Sequence, residues 1–122
     1  MNKVALTFIT IILMISCVNN NCCKVDFLII NKSSFIIDSI KITNWSSSIL
    51  TEKFKIEDSL MLSIDFKNTN LKGDGSYAIS YYLNEKEHLY NFGYFSNGIP
   101  TGVNYEIKIF NDTILIKEQI RE

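Results

Sequence analysis

Short runs of β-forming residues, separated by polar breaks, fill the chain from Lys24 onward. Ile, Val, Phe, Tyr and Thr dominate the runs, whereas Asn, Asp, Ser and Gly occupy the breaks. Frequent alternation of apolar and polar residues is typical of β-strands, and no long stretch keeps a helical period. The pattern predicts these strands: Val25–Asn31, Phe35–Thr43, Ile49–Ile56, Leu60–Lys67, Tyr77–Leu83, His88–Phe95, Val103–Phe110 and Thr113–Ile120.

Short strands with hairpin-length connections favour an all-β fold, namely an antiparallel β-sandwich over residues 24–122. A small β-barrel is the alternative. With 47% hydrophobic and 20% charged residues, the composition is that of a globular domain. The segment Gly73-Asp74-Gly75-Ser76-Tyr77 resembles the tyrosine corner of immunoglobulin-like sandwiches, although Asp74 stands three residues before Tyr77 rather than the usual four. The resemblance implies an immunoglobulin-like or related sandwich.

Three consecutive strand pairs are predicted to form hairpins. Turns are expected at Glu57-Asp58-Ser59, over the four residues 84–87, and at Asn111-Asp112. Residues directly opposite each other share a face of the sheet. The predicted pairs are Phe54 with Leu62, Leu50 with Phe66, Tyr81 with Tyr90, Tyr77 with Tyr94, Ile107 with Ile116, and Glu106 with Lys117.

An apolar N-terminal segment precedes the predicted domain. Lys3 gives it a positive start, and Val4–Ile15 is broken only by Thr7 and Thr10. This run is shorter than the roughly 20 residues of a membrane-spanning helix and has the length of a signal-peptide core. The first residues are therefore expected to direct export.

The end of that segment, Leu13-Met14-Ile15-Ser16-Cys17, resembles the lipobox of bacterial lipoproteins. Ser16 fits the small position before the Cys, and Met14 stands where Leu is usual. The resemblance implies a signal peptide over residues 1–16, acylation of Cys17, a tether over residues 17–23, and anchoring to a membrane of the bacterial cell envelope. Two or more acyl chains give stable anchoring. An ordinary cleaved signal peptide and an uncleaved membrane anchor are the alternatives.

The tether carries no acidic residue before Asp26. In Bacteroidetes lipoproteins, acidic residues soon after the lipidated Cys favour surface display, so the resemblance implies a periplasm-facing location. Cys22 and Cys23 are adjacent, and consecutive Cα atoms lie about 3.8 Å apart, closer than the roughly 5.5 Å typical of a disulfide. We expect a tether pair without a catalytic role, with intermolecular crosslinking as the alternative.

Charge and motifs narrow the functional classes. The net charge of −1 offers no support for a nucleic-acid partner. His88, the only histidine, falls at a predicted turn beside Glu85 and Glu87, where it is expected to be solvated. No motif for nucleophilic catalysis, phosphate or zinc is present, so no enzyme activity and no cofactor are expected. The loop Asn68–Gly75 has one carboxylate, Asp74, too few for a calcium site.

Two sets of surface residues are candidate sites. Asp38-Ser39-Ile40, Asp58-Ser59-Leu60 and Asp112-Thr113-Ile114 resemble the O-glycosylation signal of exported Bacteroidetes proteins, which implies glycans at Ser39, Ser59 and Thr113. The aromatic residues of the second hairpin are expected in the core, except those on its other face. The predicted binding surface therefore comprises Tyr82, Phe95, Asn97 and Pro100.

The sequence thus favours a lipid-anchored, non-enzymatic binding or structural module whose partner is another envelope protein or a toxin. The alternative is a small envelope hydrolase or ligand-sequestering lipoprotein. Its active surface would combine Asp74, His88 and the loop Ser96–Gly102.

Overall fold

The strands form two facing β-sheets, and buried residues alternate with more exposed ones along β1 and β8. The computed structural model describes residues 23–46, 48–68 and 71–120. The signal peptide, Cys17 and most of the tether lie outside the described residues. The elements are β1 (Lys24–Asn31), β2 (Ile37–Thr43), β3 (Ser48–Phe54), β4 (Ser59–Asp65), a short 3-10 helix (Phe66–Asn68), β5 (Asp74–Leu83), β6 (Lys86–Ser96), β7 (Ile99–Pro100), β8 (Gly102–Ile109) and β9 (Ile114–Ile120). The predicted strands are confirmed to within a few residues, and β7 is an addition.

The two sheets confirm the predicted all-β sandwich. One sheet has the strand order β4-β1-β8-β9 and the other has the order β3-β2-β5-β6-β7. The pairs are antiparallel except for β1 and β8, which run parallel. A parallel pair needs a long crossover, and here the whole second sheet lies between these two strands in sequence. Within the described ranges, no helix is long and apolar enough to span a membrane.

The core lies between the sheets and is rich in aromatic rings. Phe27 stacks on Tyr105 with ring centroids 5.6 Å apart, and Tyr77 meets Phe27 edge-on at 5.3 Å. Each fully buried side chain of this size contributes roughly 1.5–3 kcal/mol to folding. The hydrophobic core residues with no exposed surface are Val25, Phe27, Ile29, Ile37, Ile40, Ile42, Tyr77, Ile79, Ile107 and Ile109.

The predicted hairpin of β3 and β4 is wrong. Phe54 pairs with Ile37 of β2, whereas Leu62 pairs with Phe27 of β1, so the connection between β3 and β4 passes from one sheet to the other. Lys53 has a φ of 47°, and this kink lets Glu52 face solvent while Phe54 turns into the core. Crossing between the sheets gives both strands an apolar partner.

The hairpin of β5 and β6 has a tighter turn than the sequence predicts. Asn84 and Glu85 alone form its loop, with φ of 50° and 64°, so Tyr81 lies opposite His88 rather than Tyr90. The register differs from the prediction by two residues along β6. A two-residue shift keeps each side chain on its face, so the predicted core face of β5 is confirmed.

A bulge at Gly93 reverses the faces at the end of this hairpin. Tyr77 pairs with Phe92 and Gly75 pairs with Phe95, so two residues of β6 oppose one of β5. Gly93 has a φ of 64°, which glycine adopts readily. Consequently Phe95 is buried at 2% exposure, which corrects its predicted surface position, while Tyr94 turns outward instead of joining the core.

The last hairpin has the predicted register. Ile107 pairs with Ile116, and Glu106 pairs with Lys117. The predicted cross-strand ion pair is replaced by one within β8, because Glu106 contacts Lys108 at 2.8 Å. At the surface such a pair contributes little to stability.

Strand directions sort the connections into two ends of the sandwich. The tether end, as we name it, comprises the start of β1, residues 44–46, 66–68 and 71–73, the turn Asn97-Gly98 and the end of β9. The chain enters there, and the carbonyl oxygen of Cys23 accepts a hydrogen bond of 2.7 Å from the amide of Phe66. The far end comprises residues 32–36, 55–58, 84–85 and 110–113.

Candidate functional site

An open groove runs over the outer face of the four-stranded sheet. It has a volume of about 570 Å³ and draws on all four strands of that sheet. Because β1 lies near the start of the described chain and β8 and β9 lie near its end, the groove forms only when β1 and β8 pair. Its lining residues are Asp26, Leu28, Met61, Asn104, Tyr105, Glu106, Lys117, Glu118 and Gln119.

The floor of the groove is apolar. Leu28 lies at the centre of β1, opposite Met61 of β4 and Glu106 of β8. Met61 is 59% exposed although its side chain is apolar, and Leu28 beside it is half-buried. In a two-layer sandwich the outer face is normally polar, so apolar side chains there mark a surface suited to a partner.

The rim of the groove carries both signs of charge. Asp26 contacts Lys24 at 3.2 Å and accepts a hydrogen bond of 2.5 Å from the Ser63 hydroxyl. The Lys108 ammonium, which hydrogen-bonds to Glu106, lowers the pKa of that carboxyl. The Glu106 carboxyl is therefore ionised at neutral pH, and it lies opposite Lys117 of β9.

A buried tyrosine joins the core to the edge of the groove. The Tyr105 hydroxyl donates a hydrogen bond of 2.7 Å to Oε1 of Glu118. Burial, followed by this hydrogen bond and the carboxylate charge, raises the pKa of Tyr105, so the phenol stays protonated. This bond fixes the position of Glu118 beside the groove.

The tyrosine-corner resemblance is not confirmed. Tyr77 is fully buried, and its hydroxyl has no hydrogen-bond partner among the residues that the structure describes. A tyrosine corner is defined by a hydrogen bond from that hydroxyl to the backbone. Burial raises the pKa of Tyr77, and the negative charge of Glu118 adds to the effect.

The predicted binding surface is not assembled. Tyr82 is 44% exposed on the outer face of the five-stranded sheet, and Asn97 is exposed at the tether end. Phe95 and Pro100 are buried. Tyr82 pairs with Glu87, many residues from Asn97 along β6, so these four residues do not share a surface.

The residues of the hydrolase alternative lie apart. Asp74 pairs with Ser96, whereas His88 pairs with Tyr81 and stacks on its ring at 5.0 Å. The strand between His88 and Ser96 spans about 26 Å, at roughly 3.3 Å per residue. Hydrogen bonds from Ser96, at 2.6 Å, and from Tyr94 lower the pKa of the Asp74 carboxyl. Asp74 and His88 therefore cannot act on one bond.

The remaining predicted sites are placed as follows. Ser59 and Thr113 are exposed at the far end, and Ser39 is half-buried on β2, so glycosylation there stays a prediction. Among the described residues, no group of three or more His, Cys, Asp or Glu side chains could hold a metal ion. Part of the loop considered for calcium, residues 69–70, lies outside the described residues.

Sequence reasoning missed the groove, although β1 held a signal for it. Val25–Ile30 is apolar at nearly every position, a pattern expected of a strand covered on both faces. In the structure its outward side chains, Leu28 and Ile30, are half-buried on the groove side of the sheet. The apolar run therefore indicated a second surface, but the polar partners from β8 and β9 could not be assigned to it without the strand order.

No family model matches the chain, and no curated protein matches it. Among solved structures, the NMR structure of a protein from Eubacterium rectale is similar, with a TM-score of 0.54 and 15% identity, over 85% of this chain and 96% of that chain. A non-haemolytic pneumolysin from Streptococcus pneumoniae aligns with a TM-score of 0.42 and 10% identity, over 81% of this chain and 24% of that chain. The first similarity concerns the fold alone, and the second supports no further argument.

Proposed function

We propose that this chain is a lipid-anchored protein of the bacterial cell envelope that binds, without catalysis, a segment of another envelope protein. The anchor rests on the lipobox-like segment ending at Cys17. The single observation that supports binding is the outer groove with its apolar floor and charged rim. A periplasm-facing location follows from the lack of acidic residues in the tether.

The chemistry of the groove favours a protein segment as the occupant. Leu28 and Met61 offer apolar contact, and covering a side chain of this size contributes roughly 1.5–3 kcal/mol. Asp26 and Glu106 on one side and Lys117 on the other can pair with a segment that carries both signs of charge. A purely anionic or purely cationic ligand would meet like charges along part of this rim.

Site-specific photocrosslinking in the native envelope tests the proposal. A photoreactive amino acid in place of Met61 is expected to give one discrete protein adduct, because the side chain points into the groove. The matched control is the same amino acid in place of Leu89, which is 63% exposed on the outer face of the other sheet. No adduct from position 61, or the same adduct from both positions, would contradict the proposal.

A charge reversal identifies the role of the rim. Lys117→Glu is expected to lower the yield of the position-61 adduct severalfold, whereas Lys86→Glu, at the far end of β6, is expected to leave it unchanged. If the adduct proves to be a secreted toxin rather than an envelope protein, the chain is an immunity-type inhibitor, and the proposed partner class is wrong.

A further inference from the structure

The tether end of the sandwich carries large apolar side chains in solvent. Trp45 is 69% exposed, Ile120 is 67% exposed and Ile99 is 62% exposed. Trp45 follows β2, Ile99 lies in β7 and Ile120 ends β9, so they come from three different parts of the chain. Within the described ranges, the other large apolar residues with similar exposure are Leu89, at 63%, and Met61, at 59%.

Trp45 is held in this exposed position by local hydrogen bonds. Its φ of 72° lies in the left-handed region, which bulky residues rarely adopt. The Trp45 amide donates to the Thr43 hydroxyl at 3.0 Å, and the indole Nε1 donates to the carbonyl oxygen of Ser76 at 3.1 Å. The indole is thus fixed at the tether end with much of its apolar surface uncovered.

The length of the tether limits what can lie next to this end. Five residues, 18–22, separate Cys17 from Cys23, where the described chain begins. Even fully extended, the six steps from Cys17 to Cys23 span about 20 Å. If acyl chains on Cys17 are inserted in a bilayer, the tether end cannot move farther than this from the headgroups.

We propose that the tether end docks on the lipid bilayer, with Trp45 and Ile99 inserted among the headgroups. This inference rests on the proposed acylation of Cys17. Tryptophan is favoured at the membrane interface because its ring is apolar while its N–H remains polar. Lys67 and Lys72 are exposed at the same end beside the exposed carboxylates of Asp65 and Asp74, so the contact rests on the apolar side chains rather than on net charge.

Docking would set the orientation of the domain. The strands run between the tether end and the far end, so they would stand upright on the membrane. The groove lies along the side of the four-stranded sheet and would open parallel to the membrane surface. Neighbouring proteins anchored in the same membrane would then reach it.

Trp45 is the only tryptophan in the chain, so all of the tryptophan fluorescence comes from this residue. The full chain, purified from the membrane fraction, is placed in vesicles of phosphatidylethanolamine and phosphatidylglycerol with or without brominated acyl chains. Quenching of Trp45 emission by the brominated lipids is measured beside quenching by aqueous acrylamide. Intact mass of the same sample records whether Cys17 is acylated.

We expect the brominated lipids to remove about half of the Trp45 emission, with protection from acrylamide, because interfacial indoles lie near the acyl chains. The matched control combines Trp45→Phe with Leu89→Trp, which moves the sole tryptophan roughly 23 Å along β6 from the tether end. Leu89 is exposed, so the larger ring needs no repacking. Its emission is expected to be unaffected by brominated lipids and open to acrylamide.

The possible outcomes separate the two proposals. Acylation of Cys17 together with quenching of Trp45 by brominated lipids supports both the lipid anchor and the docking of the tether end. Acylated Cys17 with Trp45 quenched only by acrylamide overturns docking and leaves the anchor in place. Protection from acrylamide without lipid quenching means that protein covers the indole, which also overturns docking. A chain without acyl groups that stays off the vesicles overturns both.

Discussion

Asn31 joins two loops at the far end of the sandwich. It ends β1 with no exposed surface. Its side-chain nitrogen Nδ2 donates to the carbonyl oxygens of Phe35, Phe54 and Lys55 at 2.9, 3.2 and 3.1 Å. Its side-chain oxygen accepts from the amide and hydroxyl of Ser33. A buried polar group of this kind stabilises a fold when its hydrogen-bonding capacity is met. The crossing from β3 to β4 therefore depends on this side chain.

Asn31→Ala is expected to destabilise the protein by about 2–4 kcal/mol, since buried carbonyl groups lose their donor. Denaturant unfolding followed by circular dichroism measures the change. Asn91→Ala, at an exposed position of β6, is the control and is expected to stay within about 0.5 kcal/mol of the original chain. Asn31→Asp keeps the volume but loses the donors, so a fully stable Asn31→Asp protein would refute the assigned role.

At the scale of elements, the bulge of β6 decides which aromatic rings enter the core. A Cβ atom at Gly93 would lie 2.5 Å from the Tyr105 hydroxyl oxygen and 2.7 Å from Cδ2 of Tyr77. These contacts are too close for any side chain. Because Gly93 has no side chain, β6 can approach β8 at this point while Phe95 turns inward.

Gly93→Ala is expected to destabilise the fold by about 3 kcal/mol, through backbone strain and the displacement of two buried rings. The matched control is Gly73→Ala, where φ is 93° but nothing lies within 4 Å of the added atom. It is expected to cost only about 1 kcal/mol, the backbone part alone. Equal losses in thermal or denaturant unfolding would show that crowding at Gly93 is not significant.

Strand positions could be predicted because alternation and turn residues are local properties of the sequence. The register of β5 and β6 could not be predicted, because Asn84-Glu85 lacks the glycine that marks a two-residue turn. The partner of β3 could not either, because its apolar residues suit a neighbour in either sheet. The groove depends on β1 pairing with β8, which no local pattern encodes.

At the scale of the whole molecule, the two proposals assign different surfaces to different partners. The tether end would face lipid, and the outer face of the four-stranded sheet would face another envelope protein. The groove runs from the middle of the four-stranded sheet towards the tether end, where its lining residue Gln119 adjoins Ile120, so the two surfaces are neighbours on the molecule. Both assignments depend on the anchor, so Cys17 is the residue on which the account rests.

The intact mass of the mature N-terminus, measured on protein from the membrane fraction, tests directly whether Cys17 is acylated. The account predicts a chain that begins at Cys17 and carries acyl chains. Cys17→Ala should lack the acyl mass and leave the membrane fraction, whereas Cys22→Ala, the matched control, should keep both. An unmodified, soluble chain beginning elsewhere would contradict the lipid anchor and the envelope function built on it.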